Sequence, residues 1–138
     1  MSPTRGDVRP GWDVRVSAEA VEWLMNCTTD EAAAARVMSA FNFIIQKLHI
    51  AGPRAGEPDI KKLIATNDLW EMRVKDRTGA YRMFFRFGKV RGQRIVAVAH
   101  GRKKSEQNFA RSVIDLALRK VDAYLAELGA DGFADEDR

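Results

Sequence analysis

Cysteine is nearly missing from this chain: Cys27 stands alone among 138 residues. One thiol makes no internal disulfide, and two histidines, His49 and His100, are too few for a cysteine–histidine zinc set. There is no glycine-rich phosphate loop, no Ser/His/Asp arrangement in a recognisable setting and no evident acidic cluster for a divalent ion. No metal and no cofactor is therefore expected. Long apolar runs are absent too, and nothing approaches the ~18 residues of a membrane span. The stretch Met1–Trp12 carries Arg5, Asp7 and Arg9 and no hydrophobic segment, so no secretory leader is read there. These absences point to a reducing, cytoplasmic setting without membrane contact.

What is present suits one globular domain. Hydrophobic residues make up 46% and charged residues 30%, enough for a single core without staples. The net charge is only +4, but it is unevenly spread. From Leu69 to Lys104 there are eleven basic residues against two acidic ones, Glu71 and Asp76, a net +9 that leaves −5 for the remainder. Such a segment is either a solvated basic face or a site for a polyanion, nucleic acid first among them.

The hydrophobic pattern orders the elements. Trp12–Val16 alternates like a half-buried strand. Ser17 caps a short helix over Ala18–Asn26, with Val21 and Leu24 or Met25 on one face. Thr28 and Glu31 have capping-box spacing, and a longer helix runs to about Ile50 with the stripe Val37, Phe41, Ile44, Leu48. Gly52 and Pro53 stop it. Arg54–Asp68 reads as a loop or partial turn. Three strands follow, joined by turns at Arg77–Gly79 and Gly88–Gly92: Leu69–Lys75, Tyr81–Phe87 and Arg94–His100. The first sets Leu69, Glu71, Arg73 and Lys75 against Trp70, Met72 and Val74. Ser105 is placed as N-cap of a last helix carrying Phe109, Val113, Leu116, Val121, Tyr124 and Leu128, ended by Gly129. The expected fold is α+β in the order β-α-α-β-β-β-α, with helices packed on a curved, mostly antiparallel four-stranded sheet. The domain is taken as 1–128, with an acidic, disordered tail over 129–138.

Two clusters carry candidate chemistry. Arg73 and Arg82 lie on consecutive hairpin strands, where two guanidiniums could flank one phosphodiester and stabilise its transition-state charge. Either could instead pair with Glu71 or Asp76. The second cluster, His100-Gly101-Arg102-Lys103-Lys104-Ser105, runs from a strand end toward a helix start, which offers backbone N–H groups and three cationic side chains to a phosphate. His100 could move a proton or be a satisfied structural residue. The aromatics among the basic residues are mostly core at strand spacing, with Tyr81 and Phe109 the ones open to stacking on bases. A nuclease with this inventory would work without metal, using the ribose 2′-hydroxyl as nucleophile, and so would act on RNA only.

Three linked motifs resemble the RelE/ParE toxin superfamily, most closely its HigB-type, phage-derived branch: Leu69-Trp70-Glu71-Met72-Arg73, then Tyr81-Arg82-Met83-Phe84, then Ile95–Ala99 ending in His100-Gly101-Arg102-Lys103-Lys104. The lead-in Gly56–Leu63 is similar as well. The resemblance implies the RelE-like fold, cleavage of mRNA on the ribosome, and neutralisation by a cognate antitoxin of helix-turn-helix type. It implies catalytic roles for Arg73, Arg82, His100 and Lys103, with Lys104 in the same basic pair, while the basic segment and its end toward the last helix make Lys75, Arg86, Arg102, Lys104, Ser105 and Phe109 the RNA-binding candidates. Replacing Arg73 or Arg82 by alanine is expected to abolish toxicity with the fold intact. Arg102 stands where relatives often carry an aromatic, and Phe109 near where some carry a proton-transferring Tyr or His. Two other readings stay open: a ParE-like toxin acting on DNA gyrase through protein contacts, and an inactive module that binds antitoxin or RNA.

Overall fold

The structure is a computed structural model describing residues 10–56, 58–63, 68–104 and 109–132. Its elements are β1 (Asp13–Val16), α1 (Ala18–Met25), α2 (Glu31–Ala51), a 3₁₀ turn (Gly52–Ala55), β2 (Ile60–Lys62), β3 (Trp70–Asp76), β4 (Gly79–Val90), β5 (Gln93–Lys104), α3 (Arg111–Glu127) and β6 (Asp131–Gly132). The sheet runs β1-β5-β4-β3-β2, with β6 added to β4. Only β1 is parallel to its neighbour, β5; the other pairings are antiparallel. The α+β architecture expected from the element order is present and compatible with a RelE-like fold. No helix among the described residues is long and apolar enough to cross a membrane.

The sheet is larger than the four strands expected. Ile60–Lys62 pairs with Trp70–Met72 where a loop was read, because Gly56 and Pro58 leave only three residues of strand, too short to show a period. Asp131 and Gly132 pair with Lys89 and Gly88, so the first part of the expected tail joins the sheet; residues 133–138 lie outside the described residues.

Helices cover both faces. On one, α2 lays Val37, Phe41, Ile44 and Leu48 against Trp70, Met72, Tyr81, Met83, Phe85 and Phe87, burying the stripe its spacing predicts. Gly52 ends α2 with φ +56°, and a β-carbon there would overlap the Trp12 indole, so only glycine fits. On the other face α3 packs Ala117, Val121 and Leu125 over Leu69, Phe84, Ile95, Ala97 and Ala99.

Several local readings change. The buried side of α1 is Ala20 with Trp23 and Leu24 packed beside it, while Val21 and Met25 are exposed. The N-cap of α2 is Asp30, whose carboxylate accepts from the Ala33 N–H (3.1 Å), and Thr28 instead accepts from the Asp30 N–H. The last helix begins at Arg111 behind Ala110, because β5 continues to Lys104 in pairing with Ala80. Its buried stripe is Ala117, Val121 and Leu125, offset from the Val113–Leu116 pattern. Ser105 lies outside the described residues. The hairpin between β4 and β5 turns on Arg91 and Gly92, both with positive φ, the backbone that matches a twisted two-residue turn.

Candidate functional site

Register brings the arginines together. Arg73 pairs with Arg82 across β3 and β4, and Arg82 pairs with Arg102 across β4 and β5. The three form a row perpendicular to the strands, spanning about 10 Å between outer Cα atoms. Trp70, Met72, Val74, Tyr81, Met83 and Phe85 fill the core under α2. The alternating residues Glu71, Arg73, Arg82 and Phe84 therefore take the other face, the one α3 partly covers.

Arg102 reaches that face through a β-bulge. Phe84 pairs with His100 but Phe85 pairs with Val98, so Ala99 is an extra residue in β5. Before it, Ile95, Ala97 and Ala99 pack toward α3. After it the alternation is inverted. Gly101 lies so close to Trp23 that a β-carbon would overlap the ring. His100 stacks on Phe84 with centroids 6.0 Å apart. Lys104 sits over the Phe109 ring at 5.4 Å, on the arginine face. Lys103, expected beside Arg73 and Arg82, is placed elsewhere: it lies over the Tyr81 ring at 5.5 Å, on the α2 side.

One carboxylate serves this cluster. Glu71 is 4% exposed, and its Oε1 is 3.6 Å from Arg82 Nε and 3.8 Å from Arg73 Nε. Of the partners left open by the sequence, both arginines therefore take Glu71; Asp76 is bound by Arg36 and Thr78, which hold its carboxyl far below the usual carboxylate range. Arg82 is 2% exposed, and its Nη1 donates to the Tyr81 carbonyl at 3.1 Å. Burial pulls the Arg82 guanidinium below its usual pKa and Glu71 opposes this, though an arginine stays charged at any working pH. Burial also lowers the Lys104 ammonium, followed by repulsion from Arg82. Lys104 thus feels Arg82, Arg73 and Lys61 against the single charge of Glu71. Among the described residues the balance is a concentrated positive field with Glu71 as its internal counter-ion, which favours an anion.

The other expected residues divide. Lys75 is exposed at the end of β3, with Arg73. Together they line a cleft of about 740 Å³ between α2 and the β3 edge, with Arg36, Ala40, Phe43 and Asp59. Arg86 is on the arginine face but is paired with Asp122 of α3, which makes it part of the helix packing. Phe109 packs edge-on to Phe84 (5.5 Å) and supports Lys104. Tyr81 is fully buried, with its hydroxyl 2.9 Å from Thr78 Oγ1, so it offers no stacking face to a base. His100 Nδ1 is 3.6 Å from Glu19 Oε2, and Glu19 also binds Lys120 at 2.7 Å. Burial lowers the His100 pKa, with Glu19 opposing, so the site favours the neutral ring. Its Nε2 is buried without a hydrogen-bond partner among the described residues. The last helix begins at Arg111 rather than beside Lys104, and residues 105–108 between them lie outside the described residues. The phosphate site this face could form is built from side chains on strands. Sequence reasoning missed the central place of Glu71, whose only signal was being one of two acids, with Asp76, inside a basic segment.

Residues 30–122 match the family model described as phage-derived protein Gp49-like. The match takes in every residue of the arginine row and leaves β1 and α1 outside. No curated protein matches the chain.

Proposed function

Because this chain belongs to the phage-derived Gp49-like family, within the RelE/toxin-like superfamily, we propose that it is a HigB-type toxin that cleaves mRNA, on the ribosome, without metal. The row Arg73–Arg82–Arg102 is the observation that carries this reading. In the reaction the 2′-hydroxyl attacks the adjacent phosphorus, the bond to the 5′-oxygen breaks, and a 2′,3′-cyclic phosphate and a 5′-hydroxyl result. Arg73 and Arg102 grip the non-bridging oxygens, Lys104 adds charge from the side, and buried Arg82 contributes its field from beneath. A cognate antitoxin of helix-turn-helix type would cover the same face with acidic residues, in a complex that salt weakens.

The test is induction in bacteria followed by primer extension on mRNA. Wild type arrests growth and leaves discrete cuts. Arg73→Ala and Arg102→Ala each lose about 10²–10³-fold in cleavage, as removal of one transition-state donor does. Lys104→Ala weakens RNA binding, while Lys103→Ala, on the opposite face, leaves it unchanged. Intact mRNA with arrest and DNA damage would replace this reading by gyrase inhibition. One observation favours an inactive RNA- or antitoxin-binding module: His100 Nε2 is shielded and Phe109 moves no proton. Absence of both cuts and arrest would select it.

A further inference from the structure

We propose that Glu71 is a positioning residue of this site, holding Arg73 and Arg82 in the orientation that cleavage needs while weakening the groove's hold on RNA. The inference rests on the ribonuclease reading. Glu71 is the only acid on the sheet face that carries the row among the described residues of β3, β4 and β5. Its neighbours across the strands are Lys61, a further cation, and Phe84.

The geometry is not that of a closed structural salt bridge. A guanidinium–carboxylate pair optimised for stability makes two parallel hydrogen bonds at about 2.7–2.9 Å. Here Oε1 is shared between two arginines at 3.6 and 3.8 Å. Among the described residues, Glu71 Oε2 and Arg82 Nε are both buried with no hydrogen-bond partner. An unmet buried acceptor beside an unmet buried donor is a costly arrangement, tolerated where the groups serve something other than stability.

A single anion between two cations does two things at once. It restrains both forks, so neither arginine must reorganise when charge develops on the phosphate. It also offsets one positive charge of the row, so RNA is bound less tightly than the bare arginines would bind it. Binding and turnover therefore respond to Glu71 in opposite directions. A residue that only stabilised the fold would move them together, along with the melting temperature.

The experiment uses the full chain with Glu71→Gln and Glu71→Asp. Binding is measured with a 2′-O-methyl RNA that cannot be cut, over a range of salt. Cleavage is measured in single turnover on ribosomes programmed with the unmodified message. Glu71→Gln is expected to bind about tenfold more tightly and to steepen the log–log salt slope by about 0.7. Its cleavage rate falls about 10²-fold, the scale of a misplaced catalytic group. Glu71→Asp keeps the charge but shortens the reach, so binding stays near wild type while the rate still drops. If Glu71→Gln does not fold, the aspartate variant alone decides. Wild-type cleavage by Glu71→Asp, or weaker binding together with slower cleavage in Glu71→Gln, overturns the role. A wild-type protein that leaves every RNA uncut overturns the ribonuclease reading instead, and the Glu71 role with it.

Discussion

Arg82→Met removes a buried guanidinium while keeping most of the apolar stem. The substitution leaves Glu71, 4% exposed, with Arg73 at 3.8 Å as its remaining ion partner among these pairs. It also removes the Nη1 donor from the Tyr81 carbonyl. Breaking a buried pair from one side costs about 3–5 kcal/mol, because the surviving charge stays desolvated. Arg73 softens this, so the low end applies, about 3 kcal/mol. At a few degrees per kcal/mol for a chain of this size, the melting temperature falls by about 10 °C. The double variant Glu71→Met with Arg82→Met removes both charges and should recover at least half of the loss, since an apolar replacement of a buried pair is often neutral or better. Near-UV circular dichroism melts of the three proteins measure this. A single variant melting within about 2 °C of wild type, or a double variant less stable than the single, would show that Arg82 is not held as a buried ion. The expectation that Arg82→Ala silences toxicity with an intact fold is therefore revised. Arg73 and Arg102 are more exposed and separate activity from stability more cleanly.

Gly101→Ala should destabilise the fold by about 1–3 kcal/mol, because the new methyl meets the Trp23 ring across β5; a melt equal to wild type would mean that α1 shifts freely. His100 gives a pH dependence. Its folded pKa lies below the ordinary 6.5, so the unfolded chain binds its proton first as acid is added. Stability contributed by the neutral ring is full above pH 6.5, and is lost as pH falls from there through the lower folded value. Glu19, Arg102 and Lys120 face the ring, and Glu19 limits the loss. Thermal melts from pH 7.5 to 5 should show the decline in wild type and a smaller one in His100→Gln; parallel curves would refute it.

The alternation of Trp70, Met72 and Val74 against Glu71 and Arg73 was legible in the sequence, because a half-buried strand writes its two faces in residue type. So was the α2 stripe, which steps at helical spacing through Val37, Phe41, Ile44 and Leu48. The opposition of Arg73 and Arg82 followed from the short hairpin between their strands. Three things did not follow. Ile95–Ala99 is apolar at every position, so no pattern reveals a bulge in it, and Lys103 was assigned to the wrong side. β2 is too short to carry a period. The start of α3 lacks a capping side chain at Ala110, so Ser105 drew the boundary five residues early. Glu71 was visible as a partner but not as a buried centre, because burial is a property of the assembled sheet.

The doubled position at Ala99 makes the outer arm of β5, His100 to Lys104, independent in phase from its stem. A chain without Ala99 would pair His100 with Phe84 directly after Val98 with Phe85, a ladder without a break that keeps Arg102 opposite Arg82. Substitution by another small residue would leave the arm as it is. What the row cannot absorb is regular pairing through Ala99, which would set Ala99 opposite Phe84, turn Arg102 to the α2 side and present Gly101 and Lys103 in its stead. The cationic row is thus specified by which residue pairs with Phe84 as well as by the residues themselves, and a search for it by motif alone would accept chains whose arm faces the wrong way.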